Sequence, residues 1–89
     1  MSDRQAELLE GVQTAFDEVL PEAKRRLRLE DELVDIGVGS IHALEMAGVL
    51  EERYGVTFPQ ADLIVLSTVG DFTELLEKLL VEAEATPEK

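Results

Sequence analysis

The sequence predicts an all-α protein, a small four-helix bundle with a long first loop and a short third helix. Hydrophobic residues recur every three to four positions over most of the chain, as they do on one face of a helix. Three segments begin with helix-capping residues, and no segment is convincing as a strand. The 89 residues suffice for a single domain, with a core over about 4–81 and a flexible tail at 82–89.

The first helix is predicted to lie between Ser2 and Leu20. Ser2 and Gln5 match the capping box S-x-x-Q, and Pro21 disfavours helical geometry at Leu20. The apolar face of this helix consists of Leu8, Val12, Ala15, Phe16 and Val19.

Residues 21–39 form a long connection. Its first part, 24–28, contains half of the basic residues, which we interpret as a solvated segment that offsets the acidic surface or as a secondary partner contact. Because irregular loops of this length are uncommon in small domains, we expect aliphatic side chains to hold it against the core. The candidates are Leu27, Leu29, Leu33 and Ile36.

The remaining three helices are predicted from the residues that begin and end them. Ser40 is predicted to cap the second helix, and Gly55 to end it. A short third helix is expected over 60–67, and Thr68 and Asp71 match the capping pattern T-x-x-D at the start of the fourth. The inward face of the second helix is predicted to contain Leu44, Ala47, Leu50 and Tyr54.

Composition excludes several classes of protein. With 20 acidic and 8 basic residues the net charge is −12, which disfavours binding to nucleic acid and favours a basic partner or a cation. The chain has no cysteine and one histidine, which exclude a disulfide scaffold and argue against a conventional zinc site. No signal peptide or membrane-spanning segment is recognisable, so we expect a cytoplasmic protein.

Ser40 is the strongest candidate for chemistry. At the start of a helix its side chain would lie beside free N–H groups, where partial positive charge suits a phosphate. From local spacing alone, a plain capping serine is the commoner explanation. His42, two positions further along a helix, points away from Ser40 and is interpreted as an ordinary surface histidine.

Three segments of the sequence favour a functional role for Ser40 over that of a plain capping serine. Residues 33–46, LVDIGVGSIHALEM, resemble the modification motif of acyl carrier proteins, roughly L-x-D-L-G-x-D-S-L-x-x-V-E-L. Residues 50–59 are similar to the family's link after its second helix, and 68–71, TVGD, to the start of its last helix. The resemblance covers about residues 27–80, with a compatible first helix, and therefore implies an acyl-carrier-protein-like fold.

The resemblance implies a carrier and not an enzyme. A phosphopantetheinyl transferase would join 4′-phosphopantetheine, taken from coenzyme A, to Ser40. The thiol at the end of this arm would carry acyl intermediates as thioesters to partners such as ketosynthases and acyltransferases. No catalytic residue and no metal site are predicted, and a monomer is expected.

One face of the second helix is the predicted partner surface. Ile41, Glu45, Gly48 and Glu52 share that face, and Glu51 is included with them. A solvated acidic face is the commoner meaning of this pattern, but the resemblance favours recognition of basic patches on partner enzymes. Gly48 would permit either close approach of a partner or close packing between helices.

Two departures from the family motif bear on the pathway. Gly39 replaces the usual aspartate before the serine, which puts the choice of transferase in doubt, and Ile41 replaces the usual leucine. Together they favour polyketide or related natural-product assembly over housekeeping fatty-acid synthesis.

Other functions fit the sequence less well than an acyl carrier. An aminoacyl or peptidyl carrier, and a carrier-like subunit that is never modified, both remain alternatives. A calcium-binding protein is disfavoured because residues 30–37 lack the ligand spacing of a calcium loop.

Overall fold

Four α-helices and one turn of 3₁₀ helix form the computed structural model, which describes residues 3–85. The α-helices are α1 (Asp3–Val19), α2 (Ser40–Tyr54), α3 (Gln60–Leu63) and α4 (Val69–Ala85), and the 3₁₀ helix is Val34–Ile36. Over this part of the chain, extended pairing is limited to an isolated bridge between Glu32 and Thr68. The predicted all-α bundle with its long first loop and short third helix is therefore confirmed.

The core lies where α1 packs against α2 and α4. Its fully buried apolar side chains are Val12, Ala15, Phe16, Met46, Leu50, Val69, Phe72 and Leu76. Phe58, in the link after α2, meets Phe72 edge to face with ring centroids 5.7 Å apart. The helical spacing of these residues in the sequence is what allows each helix to bury one stripe against the others.

The observed ends of α1 and α4 agree in part with the ends predicted from the sequence. Helix α1 ends at Val19, as expected from Pro21, while the predicted cap at Ser2 lies outside the described residues. At the start of α4 the Asp71 N–H donates to the Thr68 hydroxyl over 3.0 Å, and the Thr68 N–H donates to the Asp71 carboxylate over 3.1 Å. This reciprocal pair is the predicted capping box. Helix α4 reaches Ala85, so helical structure continues into the segment 82–89 that was expected to be a tail.

The connection between α1 and α2 is held by Gln13, a buried side chain on α1 that sequence analysis did not single out. Its amide nitrogen donates to the Arg25 carbonyl over 2.8 Å, and its amide oxygen accepts the Leu27 N–H over 2.8 Å. Both contacts satisfy backbone groups of the segment 24–28, which has no regular secondary structure. One polar side chain therefore replaces the hydrogen bonds that a helix or sheet would supply.

The second half of the connection contacts the start of α4. The Val69 N–H donates to the Asp31 carbonyl over 2.9 Å, and the Gly70 N–H donates to the Leu29 carbonyl over 2.8 Å. These bonds satisfy N–H groups that the first turn of a helix leaves unpaired. The predicted anchors are confirmed, since Leu27, Leu33 and Ile36 are buried and Leu29 packs against the core.

The basic segment 24–28 makes ion pairs within the chain. Arg26 pairs with Glu10 of α1, and Arg28 pairs with Glu30 over 2.8 Å. The hydrogen bond and the charge of Arg28 lower the pKa of Glu30 below its usual value, and Glu30 raises that of Arg28. Both pairs are exposed, so they contribute little to folding but do offset acidic charge locally.

The predicted extent of the third helix is wrong. Helix α3 ends at Leu63, and a turn follows at 64–65, in which Ile64 is 74% exposed. The Ser67 carbonyl accepts the Leu33 N–H of the connection over 2.9 Å. The Ser67 N–H donates to the Asp71 cap of the next helix over 3.0 Å. Because both backbone groups of Ser67 are engaged elsewhere, the helix cannot continue through it.

No helix within residues 3–85 is long and apolar enough to cross a membrane.

Candidate functional site

Two glycines in the residues before α2 determine the backbone conformation at its start. Gly37 ends the 3₁₀ helix with a φ of 84°, a conformation that glycine adopts without steric cost. Gly39 is the N-cap in an extended conformation, and its carbonyl accepts the first bond of α2 from the Ala43 N–H over 2.9 Å. Between them, buried Val38 holds the chain against the core. Ser40 follows as the first helical residue, and it is exposed.

This geometry corrects the role predicted for Ser40 in the helix. The N-cap is Gly39, so the Ser40 hydroxyl is not required to cap the helix and is available at the surface. A phosphate ester formed on this hydroxyl would lie in solvent beside the unpaired N–H groups of the first turn of α2. The exposed side chain at a helix N-terminus therefore fits a phosphate-linked group.

His42 also differs from its prediction. Instead of an ordinary surface histidine, it is half-buried, and its Nδ1 accepts the Gly39 N–H over 3.1 Å. This hydrogen bond joins residues on either side of Ser40 in the chain. The predicted N-cap at Ser40 made Ala43 the third helical residue, so His42 was not expected in this contact, and histidine is not among the residues usual at that position.

A cavity of about 590 Å³ lies directly beside Ser40. The connection forms one wall, and α2 and α3 form the others. Its apolar lining consists of Leu33, Val34, Val38, Ala43, Leu44, Ala61, Leu63, Ile64 and Leu66. The polar residues Glu32, Gln60 and Ser67 also line it. Leu44, predicted to face inward, is instead 38% exposed because it lines this cavity and not the core.

Exposed apolar side chains surround the cavity. Val34 and Ile64 are 77% and 74% exposed, although both are aliphatic. Sequence analysis missed them as site residues because periodicity within one helix cannot show which segments of the chain come together. Their exposure places apolar surface within reach of a group attached at Ser40.

The predicted partner face of α2 lies on the surface with one exception. Ile41, Glu45, Gly48 and Glu52 are exposed, and Ile41 is 69% exposed. Glu51 is half-buried, and its carboxylate accepts the Phe58 N–H over 2.8 Å. The carboxylate of Glu51 therefore holds the link after α2, whereas the other four residues are free to face solvent.

Comparisons with known proteins agree on one family. The model of the phosphopantetheine attachment site matches residues 10–76. The chain is 33% identical over 80 residues to the meromycolate extension acyl carrier protein of Mycobacterium leprae, covering 89% of this chain and 70% of that one. It is 32% identical over 87 residues to an acyl carrier protein of Rhodococcus erythropolis, covering 96% of both.

Similarity to a solved structure supports the same family. The fold is similar to the solution structure of the acetyl actinorhodin acyl carrier protein from Streptomyces coelicolor, with a TM-score of 0.72 and 28% sequence identity. The similarity covers 83% of this chain and 91% of that one. The chain therefore belongs to the acyl carrier proteins, which carry a 4′-phosphopantetheine group and are not themselves enzymes.

Proposed function

We propose that Ser40 is the residue to which 4′-phosphopantetheine is attached, and that the protein carries acyl intermediates of polyketide or related natural-product assembly. The observation that carries the proposal is the position of Ser40. Its exposed hydroxyl stands at the first residue of α2, next to the apolar cavity, within the part of the chain that matches the family model.

In the proposed modification Ser40 supplies its hydroxyl oxygen. This oxygen forms the new bond to the phosphate of coenzyme A, its proton is lost, and adenosine 3′,5′-bisphosphate leaves. The N-terminus of α2 then lies beside the anionic phosphodiester, where the helix dipole is favourable. When bound, the arm supplies a thiol for thioester formation, which the chain itself cannot do because it has no cysteine.

The cavity supports acyl cargo over aminoacyl cargo. A volume of about 590 Å³ falls within the range of small-molecule sites, and most of the lining side chains are aliphatic. An apolar acyl chain would gain by leaving water there, whereas a charged amino group would lose its hydration. The walls thus match the chemistry of fatty and polyketide chains.

The exposed face of α2 is proposed as the docking surface. Acyl carrier proteins interact with acyl-processing enzymes and with phosphopantetheinyl transferases. Here Ile41 supplies an apolar contact at one end of the face. Glu45 and Glu52, on either side of Gly48, supply negative charge that suits basic patches on such partners. Glu51 is retained at the edge of the surface, although its carboxylate also holds the link after α2.

The pathway is supported by two observations. The structural relative from Streptomyces coelicolor is an actinorhodin carrier, and both Gly39 and Ile41 depart from the usual family motif. The relatives named as meromycolate extension acyl carrier proteins make meromycolate extension the second candidate.

The central test is modification of the native protein. Incubation with coenzyme A, Mg²⁺ and a broad-specificity phosphopantetheinyl transferase should add one pantetheinyl group, read by intact mass. Ser40→Ala should abolish the adduct, while Ser67→Ala, which alters another exposed serine of the cavity, should retain it. Thiol titration should give zero equivalents before modification and one after it, because the chain has no cysteine.

Two results would contradict this assignment. An adduct that survives Ser40→Ala would place the attachment elsewhere. Native protein that stays unmodified with every transferase tried would instead favour the alternative of a carrier-like subunit used without modification.

A further inference from the structure

We propose that His42 is a positioning residue for Ser40, whose imidazole holds the start of α2 in the conformation that presents the hydroxyl for modification. The inference rests on the proposed function, since it concerns the same serine. The Gly39 N–H donates a hydrogen bond to His42 Nδ1 over 3.1 Å, across Ser40 and Ile41, which lie between them in the chain.

The N-cap of α2 lacks the usual means of stabilisation. N-cap residues are commonly Ser, Thr, Asp or Asn, because a side-chain oxygen accepts an N–H of the first turn. Gly39 has no side chain, and no side-chain cap of that kind is present at this end of α2. The acceptor contributed by His42 supplies the other half of a capping box, in the place where Glu or Gln is usual.

The conformational freedom of residues 37–39 makes the hydrogen bond between Gly39 and His42 important. Gly37 and Gly39 both precede Ser40, and glycine loses more backbone freedom on folding than any other residue. Val38 and Ala43 are buried and hold the segment from either side, and the Ala43 N–H fixes the carbonyl of Gly39. The N–H of Gly39 needs a separate acceptor, which His42 supplies one residue before the hydroxyl.

The contact also defines a proton position. A ring nitrogen that accepts a hydrogen bond carries no proton, so neutral His42 holds its proton on Nε2. An amide oxygen at the same position can accept the same N–H, which makes His42→Gln the conservative replacement and His42→Ala the disruptive one.

The test compares initial rates of modification of the apo protein. We expect His42→Ala to lower kcat/KM for phosphopantetheinyl transfer by roughly fivefold, the effect of losing one capping interaction. His42→Gln should restore most of the rate. The matched control is Gly55→Ala, which strains the left-handed residue at the far end of α2, where φ is 70°, without touching Ser40. It should leave the rate unchanged despite lower stability.

A second measurement does not depend on turnover or on any variant folding. At pH of about 8, where an ordinary imidazole is neutral, ¹⁵N NMR of the unmodified wild-type protein should show His42 protonated at Nε2. Protonation at Nδ1, or equal rates for wild type and His42→Ala, would overturn the proposal. If wild-type protein is not modified at Ser40, the proposed function fails, and the tautomer still decides whether His42 makes this contact.

Discussion

Two glycines inside helices occupy opposite environments. An added Cβ at Gly11 of α1 would lie 3.0 Å from Tyr54 Cζ and closer still to the phenolic oxygen, whereas at Gly48 of α2 it would meet nothing within 4 Å. Gly11 therefore permits Tyr54 to pack across α1. Gly48 is exposed, so close packing between helices does not explain it, and close approach of a partner becomes the favoured interpretation.

Substitution by alanine should have opposite effects on stability at these two positions. Gly48→Ala should raise the free energy of unfolding by about 1 kcal/mol, since alanine is the better helix former. Gly11→Ala should lower it by about 1 kcal/mol, because overpacking against Tyr54 exceeds the gain in helix propensity. Urea unfolding of both variants measures the difference. Equal stabilisation of the two would show that Tyr54 does not depend on Gly11.

At the scale of elements, one side chain joins α1 to the connection that follows it. Gln13→Ala would leave the Leu27 N–H and the Arg25 carbonyl without their partner. Since the Leu27 N–H is buried, we expect the free energy of unfolding to fall by about 2 kcal/mol. Denaturant titration measures the loss.

The neighbouring Thr14→Ala is the control for that substitution. The Thr14 hydroxyl donates only within α1, to the Glu10 carbonyl, so stability should change by less than about 0.5 kcal/mol. A loss for Gln13→Ala no larger than for Thr14→Ala would mean that the connection is held by its aliphatic anchors alone.

At the scale of the whole molecule, the cavity beside Ser40 exists only because the connection, α2 and α3 meet there. If it shelters cargo, protein loaded with an octanoyl thioester should be more stable than protein loaded with acetyl, by about 1 kcal/mol. Urea unfolding of the two loaded forms measures this difference.

Glycyl-loaded protein is the control for that comparison, since its charged amino group gains nothing from apolar walls. Its free energy of unfolding should equal that of the acetyl-loaded protein. Equal stability of the octanoyl and acetyl forms would indicate that the acyl chain stays in solvent and that the cavity serves another purpose.

The periodicity of the sequence determined the helices and their buried faces. Val12, Phe16 and Leu76 are recognisable as core because local spacing decides which side of a helix is apolar. Local capping chemistry likewise located the start of α4 at Thr68 and Asp71. The motif around Ser40 indicated the family together with the segments 50–59 and 68–71, because the order of residues within each segment is visible in the sequence.

Contacts between distant segments were decided only by the tertiary structure. The end of α3 at Leu63, the role of Gln13 and the apolar walls beside Ser40 all depend on backbone groups or side chains far apart in sequence. His42 could be assigned its partner only once the backbone at Gly39 was known. A linear pattern specifies what each element buries, whereas hydrogen bonds across the connection depend on how the elements pack.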